Sequence, residues 1–132
     1  MSSEKIYHQA KLVSPAWAQV STRDRSRVVR KLGRLLADEV DSALEALQSD
    51  LKKPTIDALS GDVLVTLEAI RYFSKRAPRL LTAKRLKVSS SLLFQGTKFY
   101  QCYEPYGTVL ILAPFNYPIQ LTLIPAEIGR AH

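Results

Sequence analysis

Apolar residues recur at helical spacing along the first half of the chain. One amphipathic helix is predicted from Ser21 or Thr22, either of which can cap its N-terminus, and a second is predicted to stop at Lys53, because the residue before Pro54 disfavours helical backbone. Each of the two helices has an apolar stripe that is predicted to face the core; the residues are Val28, Leu32, Leu35, Leu36, Val40, Leu44, Leu47 and Leu51. Charged residues occupy the opposite faces. The pattern therefore predicts two helices packed on a common core.

A third helix is predicted from about residue 55 to 77, with Pro78 as its end. Its apolar stripe comprises Ile56, Leu59, Val63, Leu67, Ile70 and Phe73. Gly61 lies inside this stripe and weakens the prediction of one uninterrupted helix.

The hydrophobic pattern changes after Leu86, where β-branched and aromatic residues become frequent. Strands at 86–94 and 97–104 flank a turn signal at Gln95 and Gly96, which predicts a β-hairpin. The stretch TVLILA at 108–113 has no polar alternation, as expected for a parallel strand that is covered on both faces. A helix should follow, opened by Asn116 or by the prolines beside it.

A buried parallel strand that leads into a helix is the start of a βαβ unit, and such a unit needs a second parallel strand. The sequence contains no candidate for that second strand, so we expect it to be the N-terminal part of a larger α/β protein. The predicted parts are a helical region at 1–83, a β-arm at 84–107, and the first strand and helix of a sheet domain at 108–132.

Asn116 is the candidate for chemistry, because a strand that only fills a core has no use for an amide at its end. Ligands commonly bind at the carboxyl end of a parallel strand, where the following helix begins. A side-chain amide there can donate a hydrogen bond to a developing oxyanion. The alternative is that Asn116 caps the next helix, and spacing alone favours this cap, since Asn is among the best capping residues.

The segment EPYGTVLILAPFNYPIQLTLIP, at 104–125, resembles the EPxGxVxxIxPWNYPxxLxxxP signature of the aldehyde dehydrogenase superfamily. The preceding helices are similar in order and spacing to the N-terminal helices of its class-three-like branch, so the resemblance covers nearly all of 4–125. It implies an incomplete aldehyde dehydrogenase fold of the α/β class. That fold would comprise N-terminal helices, a β-hairpin arm, and the first strand and helix of a Rossmann-like NAD(P)-binding domain.

The resemblance also implies roles for individual residues. Asn116 matches the asparagine whose amide stabilises the oxyanion of a cysteine thiohemiacetal, on the way from aldehyde to carboxylic acid. Ala113, Pro114 and Phe115 match positions that line the nicotinamide end of the NAD or NADP cleft, and Phe115 stands where the family most often has tryptophan. The arm resembles one that extends a neighbouring subunit's sheet, which implies a homodimer. No metal site is implied.

Several parts of the family's site have no counterpart here. The nucleophilic cysteine and the base glutamate lie far downstream of the asparagine motif, so Cys102 matches neither, and we expect the chain alone to be inactive. After Pro125 the sequence reads AEIGRAH where the family has a run resembling GAIAAGN, which suggests a truncated or altered end. The alternative hypothesis is a noncatalytic interaction fragment that pairs its arm, or a strand edge at 108–113, with a full-length homologue.

Composition changes this picture little. The net charge is +7, and the one dense basic patch spans 71–87, but no nucleic-acid-binding motif accompanies it, so nucleic acid is not an expected partner. A single cysteine and the absence of a secretory signal favour a reducing, cytoplasmic location. The apolar stretch at 108–124 is shorter than the ~20 residues of a membrane helix and is broken by prolines, which argues against a membrane span.

Overall fold

The computed structural model describes residues 2–86 and 96–131. Six α-helices and two short strands lie in these ranges, and a π-helical turn at Leu59–Leu64 joins the fourth helix to the fifth. The helices are α1 (Ser3–Ala18), α2 (Thr22–Asp38), α3 (Val40–Leu51), α4 (Thr55–Ala58), α5 (Val65–Leu80) and α6 (Pro118–Ala131), and the strands are β1 (Lys84–Leu86) and β2 (Phe99–Gln101).

Local signals account for the ends of α2 and α3. The Ser21 hydroxyl accepts a hydrogen bond from the Asp24 backbone N–H at 3.2 Å, so the predicted N-cap of α2 is confirmed. Helix α3 ends at Leu51, followed by Lys52 in the left-handed region at φ 54° and then by Pro54. Helix α1 was not predicted, because none of its residues is buried and it has no core-facing stripe to recognise.

The third predicted helix is the segment α4, π-turn and α5. The irregularity expected at Gly61 is the π-helical turn. The predicted end at Pro78 is wrong, since α5 continues to Leu80. Proline removes only one backbone donor, and the last carbonyls find other partners: Leu81 N–H donates to the Ala77 carbonyl at 2.9 Å, and the Thr82 hydroxyl donates to the Pro78 carbonyl at 2.6 Å.

The core lies between α2 and α5, with further buried side chains from α3, α4 and the π-helical turn, and α6 packs on both α2 and α5. Its buried apolar members are Val29, Leu47, Ala58, Val63, Ile70 and Ala77. Gly33 lets α2 approach α5 closely, because a Cβ at this position would lie 2.6 Å from Cγ2 of Ile70. No described helix is long and apolar enough to cross a bilayer.

Strands β1 and β2 pair antiparallel, with Arg85 opposite Tyr100 at the centre of the register. This pairing confirms the hairpin near its base, while 87–94 of the predicted first strand lies outside the described residues. The prediction of a buried strand at 108–113 is wrong, because the structure forms no strand there and Leu112 is 86% exposed. A strand needs a hydrogen-bonding neighbour, and the sheet formed by the described residues contains only β1 and β2.

Candidate functional site: the Asn116 turn and the Lys53–Asp62 pair

Asn116 lies in an exposed turn just before α6. Its side-chain amide makes no hydrogen bond with any residue that the structure describes, so it does not cap the helix. The first turn of α6 is instead closed by the Tyr117 carbonyl, which accepts from Leu121 N–H at 3.0 Å. The amide is therefore free to donate to a group outside the chain.

Lys53 lies directly beneath this turn. Its Nζ donates to the Asn116 backbone carbonyl at 3.0 Å and to Asp62 Oδ2 at 3.1 Å, and it lies 3.6 Å from the centroid of the Tyr117 ring. An ammonium group has three N–H bonds, and these three partners surround it with two acceptors and an aromatic face. The side chain of Lys53 is only 11% exposed.

Asp62 is the anion of the pair and is fully buried. While Oδ2 accepts from Lys53, Oδ1 accepts from the Gln120 backbone N–H at 2.9 Å, in the first turn of α6. A carboxylate at the start of a helix is favourably placed with respect to the helix dipole. One carboxylate oxygen of Asp62 thus contacts Lys53, which holds the Asn116 carbonyl, and the other contacts the backbone of α6 directly.

Gly61, the neighbour of Asp62, lets the Tyr117 ring pack against the π-helical turn. A Cβ at this position would lie 2.9 Å from Cε1 of Tyr117, closer than carbon atoms can approach without displacement. The π-helical turn therefore supplies both the buried carboxylate and the space for the ring, in keeping with the frequent occurrence of such turns at functional sites.

A shallow pocket of about 360 Å³ opens beside the turn and is lined by Leu51, Lys53, Phe115, Asn116 and Tyr117. Two of the predicted site residues, Phe115 and Asn116, are brought together in it.

The other predicted cofactor positions, Ala113 and Pro114, are exposed and do not line the pocket. Phe115 is 81% exposed. Cys102 is exposed just after β2 and does not line the pocket either.

Sequence reasoning missed Lys53, Asp62 and Gln120. Two signals were available: a lysine immediately before the proline that follows α3, and an aspartate beside a glycine inside a helical stripe. Neither signal says which distant segment the side chain will meet. Their partners near Asn116 are about sixty residues away along the chain.

Glu127 on α6 is a second buried acidic residue, with 1% exposure. Neither of its carboxyl oxygens has a hydrogen-bond partner among the described residues. Burial raises the pKa of the Glu127 carboxyl to about 7. It lies in the segment where the sequence departs from the family pattern after Pro125.

Comparison with known proteins supports the family resemblance of the motif around Asn116. The model of the aldehyde dehydrogenase family matches residues 2–127. The chain is 38% identical over 101 residues to 4,4'-diaponeurosporen-aldehyde dehydrogenase of Staphylococcus aureus, covering 76% of this chain and 22% of that protein. It is 29% identical over 130 residues to an NADP-dependent glyceraldehyde-3-phosphate dehydrogenase of Triticum aestivum, covering 96% and 25%.

Among solved structures, the substrate-bound state of Staphylococcus aureus AldH superposes with a TM-score of 0.85 at 30% identity, covering 99% of this chain and 28% of that one. The predicted fold class is thereby confirmed. The chain spans about a quarter of the length of these relatives. The class-three-like branch stays a prediction.

Proposed function

This chain belongs to the aldehyde dehydrogenase family, and from that premise we propose that it supplies the oxyanion-binding amide, Asn116, of an NAD(P)-dependent enzyme that oxidises an aldehyde to a carboxylic acid. The observation that carries the proposal is the free, exposed amide of Asn116 in a turn that is anchored from beneath by Lys53. The aldehyde substrate and the choice between NAD and NADP are not specified by these residues.

The contribution of Asn116 is electrostatic. When a cysteine thiolate adds to the aldehyde carbon, the carbonyl oxygen gains negative charge, and an N–H of the Asn116 side chain donates to it. A donor that is already in place stabilises that charge without reorganisation, and one such donor is worth about 100- to 1000-fold in kcat. The nucleophilic cysteine and the base glutamate match no position in this chain, so the chain alone should be inactive.

The cofactor part of the proposal rests on Phe115, Ala113 and Pro114. An exposed aromatic ring beside the reacting position fits a flat nicotinamide, and the small Ala113 leaves room for close approach. NAD(P) supplies the hydride acceptor when it is bound. In this proposal the three residues hold the nicotinamide end, as the family resemblance implies, while the rest of the cofactor site lies outside the chain.

The test begins with the coding sequence beyond residue 132. The longest product that contains this sequence is expressed beside the 132-residue chain, and NAD(P)-dependent oxidation of a panel of aldehydes is measured. We expect activity in a product that carries a downstream cysteine and glutamate, and none in the 132-residue chain. In the active product, Asn116→Ala should lower kcat by about 100- to 1000-fold.

The exposed amide of Gln48 on α3 provides the matched control, and Gln48→Ala should leave kcat unchanged. Turnover by the 132-residue chain alone, or an Asn116→Ala variant with unchanged kcat, would show that the assignment is wrong.

A second candidate function is supported by the exposed apolar side chains between β2 and α6. Leu110 is 79% exposed and Leu112 86% exposed, in a segment that forms no strand among the described residues. A noncatalytic fragment could pair this segment, or the β1–β2 arm, with a full-length homologue. Co-elution of the purified chain with a full-length homologue, abolished by Leu112→Lys, would support this function. A chain that elutes alone as a monomer would contradict it.

A further inference from the structure

Two contacts hold the chain at and just after Asn116. Lys53 Nζ donates to the carbonyl of Asn116 itself, and four residues later Asp62 Oδ1 accepts from the N–H of Gln120. The two anchors are joined to each other by the Lys53–Asp62 ion pair at 3.1 Å. One pair of charges between α3 and the π-helical turn therefore holds the chain at two points, the Asn116 carbonyl and the Gln120 N–H.

The contact from Lys53 reaches the Asn116 backbone and leaves the side-chain amide of Asn116 unused. Were the pair only a device for stability, the acceptor for Lys53 could be any carbonyl near the end of α3. Lys53 instead spans 63 positions in sequence to reach the carbonyl of Asn116, and its remaining face is covered by the ring of the next residue, Tyr117. The backbone position of Asn116 is thus set by a group that is itself nearly buried.

We propose that Lys53 and Asp62 are positioning residues for Asn116, holding its amide where it can donate to the reacting oxygen. This rests on the proposed function of Asn116. Electrostatic catalysis requires donors that are fixed before the charge develops, and a displacement of 1 Å can cost about 100-fold in rate. A charge-assisted contact to the Asn116 carbonyl is stronger than a neutral one and fixes the position more firmly.

Hydrogen–deuterium exchange of the 132-residue chain tests the positioning without any need for turnover. Lys53→Met removes both the charge and the donor. Peptides covering 112–124 should then exchange at least about tenfold faster, because the turn before α6 loses the contact to the Asn116 carbonyl and Asp62 loses its cation. Peptides of α2 should be unchanged. Lys53→Arg, which keeps the charge and can still donate, should retain much of the protection.

Lys52→Met is the matched control, since it makes the same change at the adjacent, exposed position. Asp62→Asn tests the ion pair separately from the contact to α6. The amide oxygen can still accept from Gln120 N–H, while the ion pair with Lys53 is lost. If Lys53→Met alone does not fold, the double variant Lys53→Met/Asp62→Asn removes both charges, leaves no unpaired buried charge and takes its place. Unchanged exchange at 112–124, or an equal acceleration in every helix, would overturn the proposal.

Kinetics in an active longer product give the second readout. Lys53→Met should lower kcat with little change in KM, and it should cost almost nothing further when Asn116 is already alanine, since both changes act through the same amide. Additive losses would overturn the positioning role. If Asn116→Ala leaves kcat unchanged, the proposed function fails, while the exchange experiment still decides whether Lys53 positions the turn.

Discussion

Glu127→Gln replaces a carboxyl group that the fold buries at 1% exposure without a hydrogen-bond partner among the described residues. Desolvation raises the pKa of this carboxyl from 4.5 to about 7 in the folded chain. Below pH 4.5 both the folded and the unfolded chain carry the proton. Between pH 4.5 and 7 only the folded chain keeps it, so the free energy of unfolding falls as the pH rises. Above pH 7 the loss is complete.

The size of the effect follows from the two pKa values. Each pH unit between them corresponds to about 1.4 kcal/mol, so the full loss is about 3 kcal/mol. Glutamine has nearly the same shape and carries no ionisable proton. The variant should therefore be about 3 kcal/mol more stable than the parent at pH 8, and nearly equal to it at pH 4, where both side chains are neutral.

Urea unfolding followed by circular dichroism, from pH 4 to pH 8.5, measures this difference, provided that the m-values of the two chains agree. Glu45→Gln, at an exposed position on α3, is the matched control and should follow the parent at every pH. A difference that does not change with pH would refute the reasoning. So would a parent that is more stable than Glu127→Gln at pH 8.

Two further predictions concern packing and capping. Gly61→Ala should destabilise the chain by about 1 to 3 kcal/mol, because the new Cβ would lie 2.9 Å from the Tyr117 ring, whereas the same change in an unobstructed helix would be stabilising. Thermal unfolding measures this loss of stability, and the combination with Tyr117→Leu should recover part of it. A Gly61→Ala variant that is more stable than the parent would contradict the close contact. Ser21→Ala should cost about 1 kcal/mol in urea unfolding, since the Asp24 N–H loses its cap, and an unchanged midpoint would show that the cap is dispensable.

Features that depend only on neighbouring residues could be predicted from the amino-acid sequence. The start of α2 follows from the hydroxyl of Ser21, and the end of α3 precedes Pro54, because capping and proline sterics act within one turn of the backbone. The motif around Asn116 was recognisable for a similar reason, since its residues are consecutive. Pro78 was misjudged because the carbonyls left over at the end of α5 find a side-chain partner in Thr82.

Features that depend on partners far away in the sequence could not be predicted before the packing of the helices was known. TVLILA has the composition of a buried strand, yet it forms none among the described residues, because strand formation requires a neighbouring strand that composition cannot supply. Lys53 and Asp62 read as ordinary charges on a helical segment until packing brings them under the Asn116 turn. Their contacts bridge 63 and 58 positions, and only the packing of α6 against the π-helical turn and α5 brings such groups within hydrogen-bonding distance.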